Sequence, residues 1–211
     1  MKNILIALLI ALNLIKINAQ DFNGSIEFKY YTLKDTTRNV YFVKNKIVKL
    51  DNYVKFTPVM EGSYIFDLPQ KKMKFVSHKR KLWGEHANET PPLLKGVYDV
   101  VKGKNTRSVA GIKCREYIVK NNEENTIITY WIADEKFTFF SPMMKLWNSK
   151  YKQSIYFIQI KDLPAGSMPL LSEEKRISDG KAISKLEVIK VDKKTPQDAN
   201  LEIPAAYNKV E

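Results

Sequence analysis

Cysteine is almost missing from this chain: Cys114 stands alone, so no intramolecular disulfide can form and stability must come from packing. Histidine is nearly as scarce, and His78 and His86 match no zinc or iron spacing. The 8 glycines form neither a P-loop nor a dinucleotide fingerprint, and there is no Gly-x-Ser-x-Gly. Ser63, Ser141 and Ser167 sit beside glycine or proline in contexts that read as turns. The carboxylate pairs Glu123-Glu124 and Glu173-Glu174 are adjacent in sequence, so their side chains diverge and suggest no glycosidase site. The expectation is a protein that is not an enzyme, with no metal, no cofactor and no catalytic residue.

Long apolar runs are missing too, beyond the first 20 residues. There Lys2 precedes an apolar run over 4–15, broken only by Asn13, and Ala19 offers a small residue before a cut. A run of about a dozen residues is shorter than the roughly 20 that span a bilayer. Residues 1–19 therefore read as a cleaved export signal and 20–211 as a single domain. A lipidated bacterial protein carries cysteine at the first mature position, where this chain has Gln20. The expected location is the periplasm, with the cell surface or the exterior as alternatives.

Acidic residues are the minority, 23 against 35 basic ones, for a net charge of +12. Lys2 and Lys16 leave with the signal, which lowers it to +10. Such a balance favours anionic lipid, acidic glycan or acidic protein partners. Nucleic acid is not expected of an exported chain without an arginine-rich or glycine-rich recognition segment.

What the chain has in quantity is short β-forming stretches separated by Gly, Asn, Asp and Lys clusters. Residues 25–33 alternate Ile26, Phe28 and Tyr30 against Glu27, Lys29 and Tyr31. Hairpins are predicted for 40–43 with 46–50 around Asn45, for 63–68 with 72–76, and for 112–119 with 126–132. Ile127 and Trp131 on one face of 126–132 and Ile128, Tyr130 and Ile132 on the other predict cover on both sides. Strands are also predicted over 154–160, 170–176 and 182–191. The last holds Ile183, Leu186, Val188 and Val191 out of parity, which a bulge would reconcile. Cys114 reads as a buried structural thiol, and 200–204 as a terminal edge strand closed by Pro204.

Two regions break the pattern, 89–103 and 136–150. The second carries Phe137, Phe139, Phe140, Met143, Met144, Leu146 and Trp147, too apolar for a solvated loop, with a helical turn expected after Pro142. A curved antiparallel sheet must cover its concave face with a helix, a lid or a ligand, and 137–147 is the natural lid. The competing reading is that these side chains simply close the core. The lysine-rich stretch 71–81 reads either as an anionic head-group patch or as a charged edge that blocks sheet-to-sheet association.

The order of motifs also resembles a known family. Asp21-Phe22-Asn23-Gly24-Ser25-Ile26-Glu27-Phe28, Gly111-Ile112-Lys113-Cys114-Arg115-Glu116-Tyr117, Tyr130-Trp131-Ile132-Ala133 and Leu201-Glu202-Ile203-Pro204-Ala205-Ala206-Tyr207 are similar to the domain-of-unknown-function family 4412. Its exported Bacteroidota members look alike in layout to lipoprotein-carrier (LolA-like) half-barrels. The resemblance implies a mainly β fold, one strongly curved antiparallel sheet of about ten or eleven strands with one or two helices or a lid over the concave face. It implies no catalytic residues.

The function expected from these readings is a soluble periplasmic binding protein that holds a lipid, lipidated peptide or other apolar ligand. Phe28, Tyr30, Trp131, Phe137, Phe140, Met143 and Trp147 would form the groove and lid, with Lys72, Lys74 and Lys79 at an anionic head. The alternative is a non-enzymatic interaction module that docks its basic face onto an envelope complex or an acidic glycan.

Overall fold

A computed structural model describes residues 21–54, 57–86, 93–134 and 136–210. The export signal, Glu89, Pro91 and Pro92 lie outside the described residues. Among the described residues, twelve strands form one sheet in two meanders that meet at its centre. The first runs outward through β1 (Gly24–Thr32), β2 (Thr36–Lys44), β3 (Ile47–Tyr53), β4 (Met60–Asp67), β5 (Lys72–Ser77) and β6 (Leu82–Glu85). The chain then crosses to the opposite edge. It returns inward through β7 (Tyr98–Val109), β8 (Ile112–Asn121), β9 (Thr126–Asp134), β10 (Ser167–Arg176) and β11 (Ala182–Asp192), which pairs with β1. A two-residue β12 (Asn208–Lys209) caps the far edge, parallel to β6.

The alternating apolar pattern explains the strands, and the turns explain the register. Asn45 and Lys46 both take positive φ, 51° and 65°, the left-handed turn whose twist matches that of paired strands. Register around it sets Tyr41 against Leu50 and Asn39 against Asn52. In β11 the pairing skips Ile189 opposite β1 and Ile183 opposite β10, so a bulge near each end returns Leu186, Val188 and Val191 to one face.

Two helices between β9 and β10 cover the concave face: α1 (Phe140–Trp147) and α2 (Lys152–Gln159). Pro142 lies in the first turn of α1, where no backbone donor is needed, and Asn148 ends the helix at φ 49° with its N–H on the Met144 carbonyl. Met143 is fully buried, and Phe140 and Met144 nearly so.

Several expectations are corrected. Residues 154–159 are helical and Ile160 is the extended cap of that helix, because Gln153, Tyr156 and Phe157 recur at helical spacing against the sheet. The expected break at 89–103 ends in a strand from Tyr98 onward, and Leu82–Glu85 adds another, which raises the strand count above that implied by the resemblance. Residues 200–204 lie outside any strand; the edge strand is at Asn208–Lys209. Ser63 is in β4, Ser141 in α1 and Ser167 opens β10, so none of them is a turn residue.

Candidate functional site

A cavity of about 500 Å³ lies between the two helices and the concave face of β1 to β4, β10 and β11. That volume falls in the range of small-molecule sites, roughly 300–1,000 Å³. Its inner end is apolar: Phe28, Leu50, Phe140, Met144 and Phe157 line it, each buried. Phe28 stacks on Tyr41 at 4.8 Å, and Phe140 meets Phe157 edge-on at 5.3 Å. Trp147 rests on Tyr64 and Phe66 at 5.5 and 5.7 Å, which ties the end of α1 to β4.

The floor is polar. Thr37, Asn39 and Tyr41 alternate along β2 and so share its concave face, with Asn52 beside Asn39 on β3. Asn39 is 6% exposed and gives one amide proton to Thr37 Oγ1 at 3.0 Å. Tyr41 is 3% exposed, and its hydroxyl has no hydrogen-bond partner among the described residues. Burial alone raises the pKa of that phenol. Tyr30 is pushed up to about 12, chiefly by burial, while the Ser184 hydroxyl works the other way. The charged lining residues Glu61 and Lys150 are exposed, and the floor itself carries no charge.

A buried network fixes one wall. Glu174 accepts from Thr126 Oγ1 at 3.0 Å and from Ser184 Oγ at 2.7 Å. Gln153 Nε2 donates to Ser184 at 2.9 Å, Ser172 Oγ donates to Gln153 Oε1 at 2.5 Å, and the Tyr130 hydroxyl donates to the Gln153 carbonyl at 2.7 Å. These bonds hold the start of α2 against β9, β10 and β11.

No family model matches the chain, and no curated protein does. Solved structures do. An uncharacterized conserved protein from Thermus thermophilus is similar over 97% of this chain and 98% of its own, at TM-score 0.53 and 8% identity. A chain of the Pseudomonas aeruginosa MucA/MucB complex matches 94% of this chain and 62% of its own, at TM-score 0.50 and 11% identity. MucB in complex with MucA(peri) matches 90% and 57%, at TM-score 0.49 and 10% identity. This chain thus spans about three fifths of the MucB-complex chains. At such identities the likeness concerns the fold: a large, curved, unclosed antiparallel sheet with helices on its concave side.

The cavity gathers Phe28, Tyr30, Phe140 and Trp147 from the residues expected to form the groove. Met143 is buried in the core behind them, and Phe137 packs on Phe22 at 5.2 Å, away from the cavity. Trp131 faces the convex side, since its neighbour Tyr130 reaches α2; the Arg107 guanidinium covers its ring at 5.1 Å. Lys72 and Lys74 flank the buried Met73 on β5 and so project from the opposite, convex face. Lys74 lies over the Trp83 ring at 5.1 Å, and Lys79 is in the turn after β5. None of the three lines the cavity.

Sequence reasoning missed Thr37, Asn39, Tyr41, Asn52 and Tyr64. The signal was present in the hairpin, because folding the chain about Asn45 and Lys46 sets 39 opposite 52.

The convex side holds the nearest approach to a catalytic constellation. Ser63 Oγ donates to Asp51 Oδ1 at 2.5 Å and meets His78 Nε2 at 2.7 Å, while His78 Nδ1 meets the Tyr207 hydroxyl at 3.1 Å. In a working triad the histidine stands between serine and acid. Here the serine stands in the middle, between the acid and the imidazole, which is a different order. Cys114, on β8, directs its thiol to the Ile112 carbonyl at 3.5 Å. No helix among the described residues is long and apolar enough to cross a membrane.

Proposed function

We propose that this is an exported, non-enzymatic binding protein that holds a lipid, a lipidated peptide or another apolar ligand beneath α1 and α2. The observation that carries the reading is the 500 Å³ cavity with an inner end of phenylalanine, leucine and methionine side chains. Burying this apolar lining against an alkyl chain is favourable in free energy. The export signal read at residues 1–19 supports a periplasmic setting, and family 4412 membership is part of the same proposal. Protein purified without detergent is expected to carry lipid detectable by native mass spectrometry. A homogeneous unliganded mass, unchanged after incubation with lipid extract, would overturn the reading.

A second reading has its own support. The Pseudomonas aeruginosa structure of similar fold is a MucA/MucB complex, and Lys72, Lys74 and Lys79 give this chain a basic outer patch. Docking of that face onto an envelope protein or an acidic glycan predicts capture of a defined partner at low salt and its loss at high salt. Capture indifferent to salt, or absent at both, would count against it.

A further inference from the structure

We infer that the cavity selects an amphiphile whose head is uncharged and rich in hydroxyl groups, with its alkyl chain against the apolar part of the lining. The inference rests on the ligand-binding reading above and adds the chemistry of the head. Asn39 and Tyr41 are more than nine-tenths buried, line the cavity and retain unused hydrogen-bonding capacity: the Tyr41 hydroxyl and the Asn39 Oδ1 have no partner among the described residues. They stand two residues apart on one strand face, so their backbone positions are about 7 Å apart and one polyhydroxylated head can meet both. Asn52 stands across from Asn39 on β3 and also lines the cavity.

The rest of the lining agrees. Tyr64 and Trp147 add aromatic surface to the lining, and the floor has no charge to receive an ionic head. An anion or cation placed there would be desolvated without a counter-charge, whereas amides and a phenol match hydroxyls as both donors and acceptors.

The test uses four probes on protein purified without detergent, each below its micellar concentration: decyl glucoside, decyl sulfate, decyltrimethylammonium and glucose. Calorimetry should show the glucoside binding about tenfold or more tightly than either ionic decyl compound, with no measurable glucose binding. Tyr41→Phe and Asn39→Ala should each weaken the glucoside about three- to tenfold and leave the ionic compounds unchanged. Equal binding of all three decyl compounds would overturn the head-group inference and leave the apolar cavity standing. Tighter binding of an ionic compound would likewise overturn it, and binding of none would remove both readings.

Discussion

At the scale of single residues, Tyr41 and Glu174 show two fates of a buried polar group. Glu174 is enclosed by hydroxyl donors from Thr126 and Ser184, which offset part of the cost of burying it. The Tyr41 hydroxyl has no such partner among the described residues. It is not among the side-chain atoms buried without a partner, and it faces the cavity, where water reaches it in the ligand-free protein. Tyr41→Phe should therefore leave the stability of the ligand-free protein within about 0.5 kcal/mol. A loss of about 1 kcal/mol or more in thermal denaturation would show that the hydroxyl is bonded within the protein. Binding is thus expected to weaken at this position with stability unchanged, a signature that a purely structural tyrosine would not give.

Among the elements, α2 has the most conspicuous tether. Glu124, in the β8–β9 turn, accepts from the Lys95 N–H at 3.0 Å and the Tyr156 hydroxyl at 3.1 Å, and pairs with Lys152 at 3.1 Å. Burial pushes its carboxyl up, yet these partners outweigh burial and hold it below the usual glutamate value. Because the folded state lowers this pKa, the tether stabilises fully above the ordinary value of 4.5 and is lost as the pH falls through the folded one. Glu124→Gln should cost about 1 kcal/mol at neutral pH, and urea titrations should show the difference from wild type vanishing in strong acid. A difference that persists there would remove the carboxylate from the account. This same helix marks the boundary of what the sequence made legible. Residues 154–160 offer apolar side chains on both parities and are too short to separate a period of 2 from one of 3.6, so only the packing of Gln153, Tyr156 and Phe157 decides. The strands of β1 and β9 were readable because buried positions alternate along most of each. The edge strand β7 was not, since its side chains are mostly exposed and no alternation marks it.

At the scale of the whole molecule, the C-terminal segment crosses the convex face as a strap. Lys44 pairs with Asp198 at 2.6 Å, Tyr207 meets His78, and β12 extends the edge beside β6. Burial, aided by the Lys49 ammonium, lowers the pKa of His78, while Asp51 pulls the other way. A histidine whose folded pKa is depressed favours the folded state above its ordinary value near 6.5 and loses that advantage as the pH falls through it. Amide exchange at Asn208 and Val210, corrected for intrinsic rates, should accelerate between about pH 7.5 and pH 5. Unchanged protection would mean that the strap holds without the imidazole. The central seam has a different consequence. Ile26 in the first strand pairs with Val191 in the last long one, so the middle of the sheet is the final part to close as the chain is made. Until β11 emerges, whether from the ribosome or, for the exported chain proposed above, across a membrane, β1 presents an unpaired edge in the heart of the future sheet. A premature stop before residue 182 therefore leaves β1 with an open edge, prone to associate with other chains, rather than a smaller working protein.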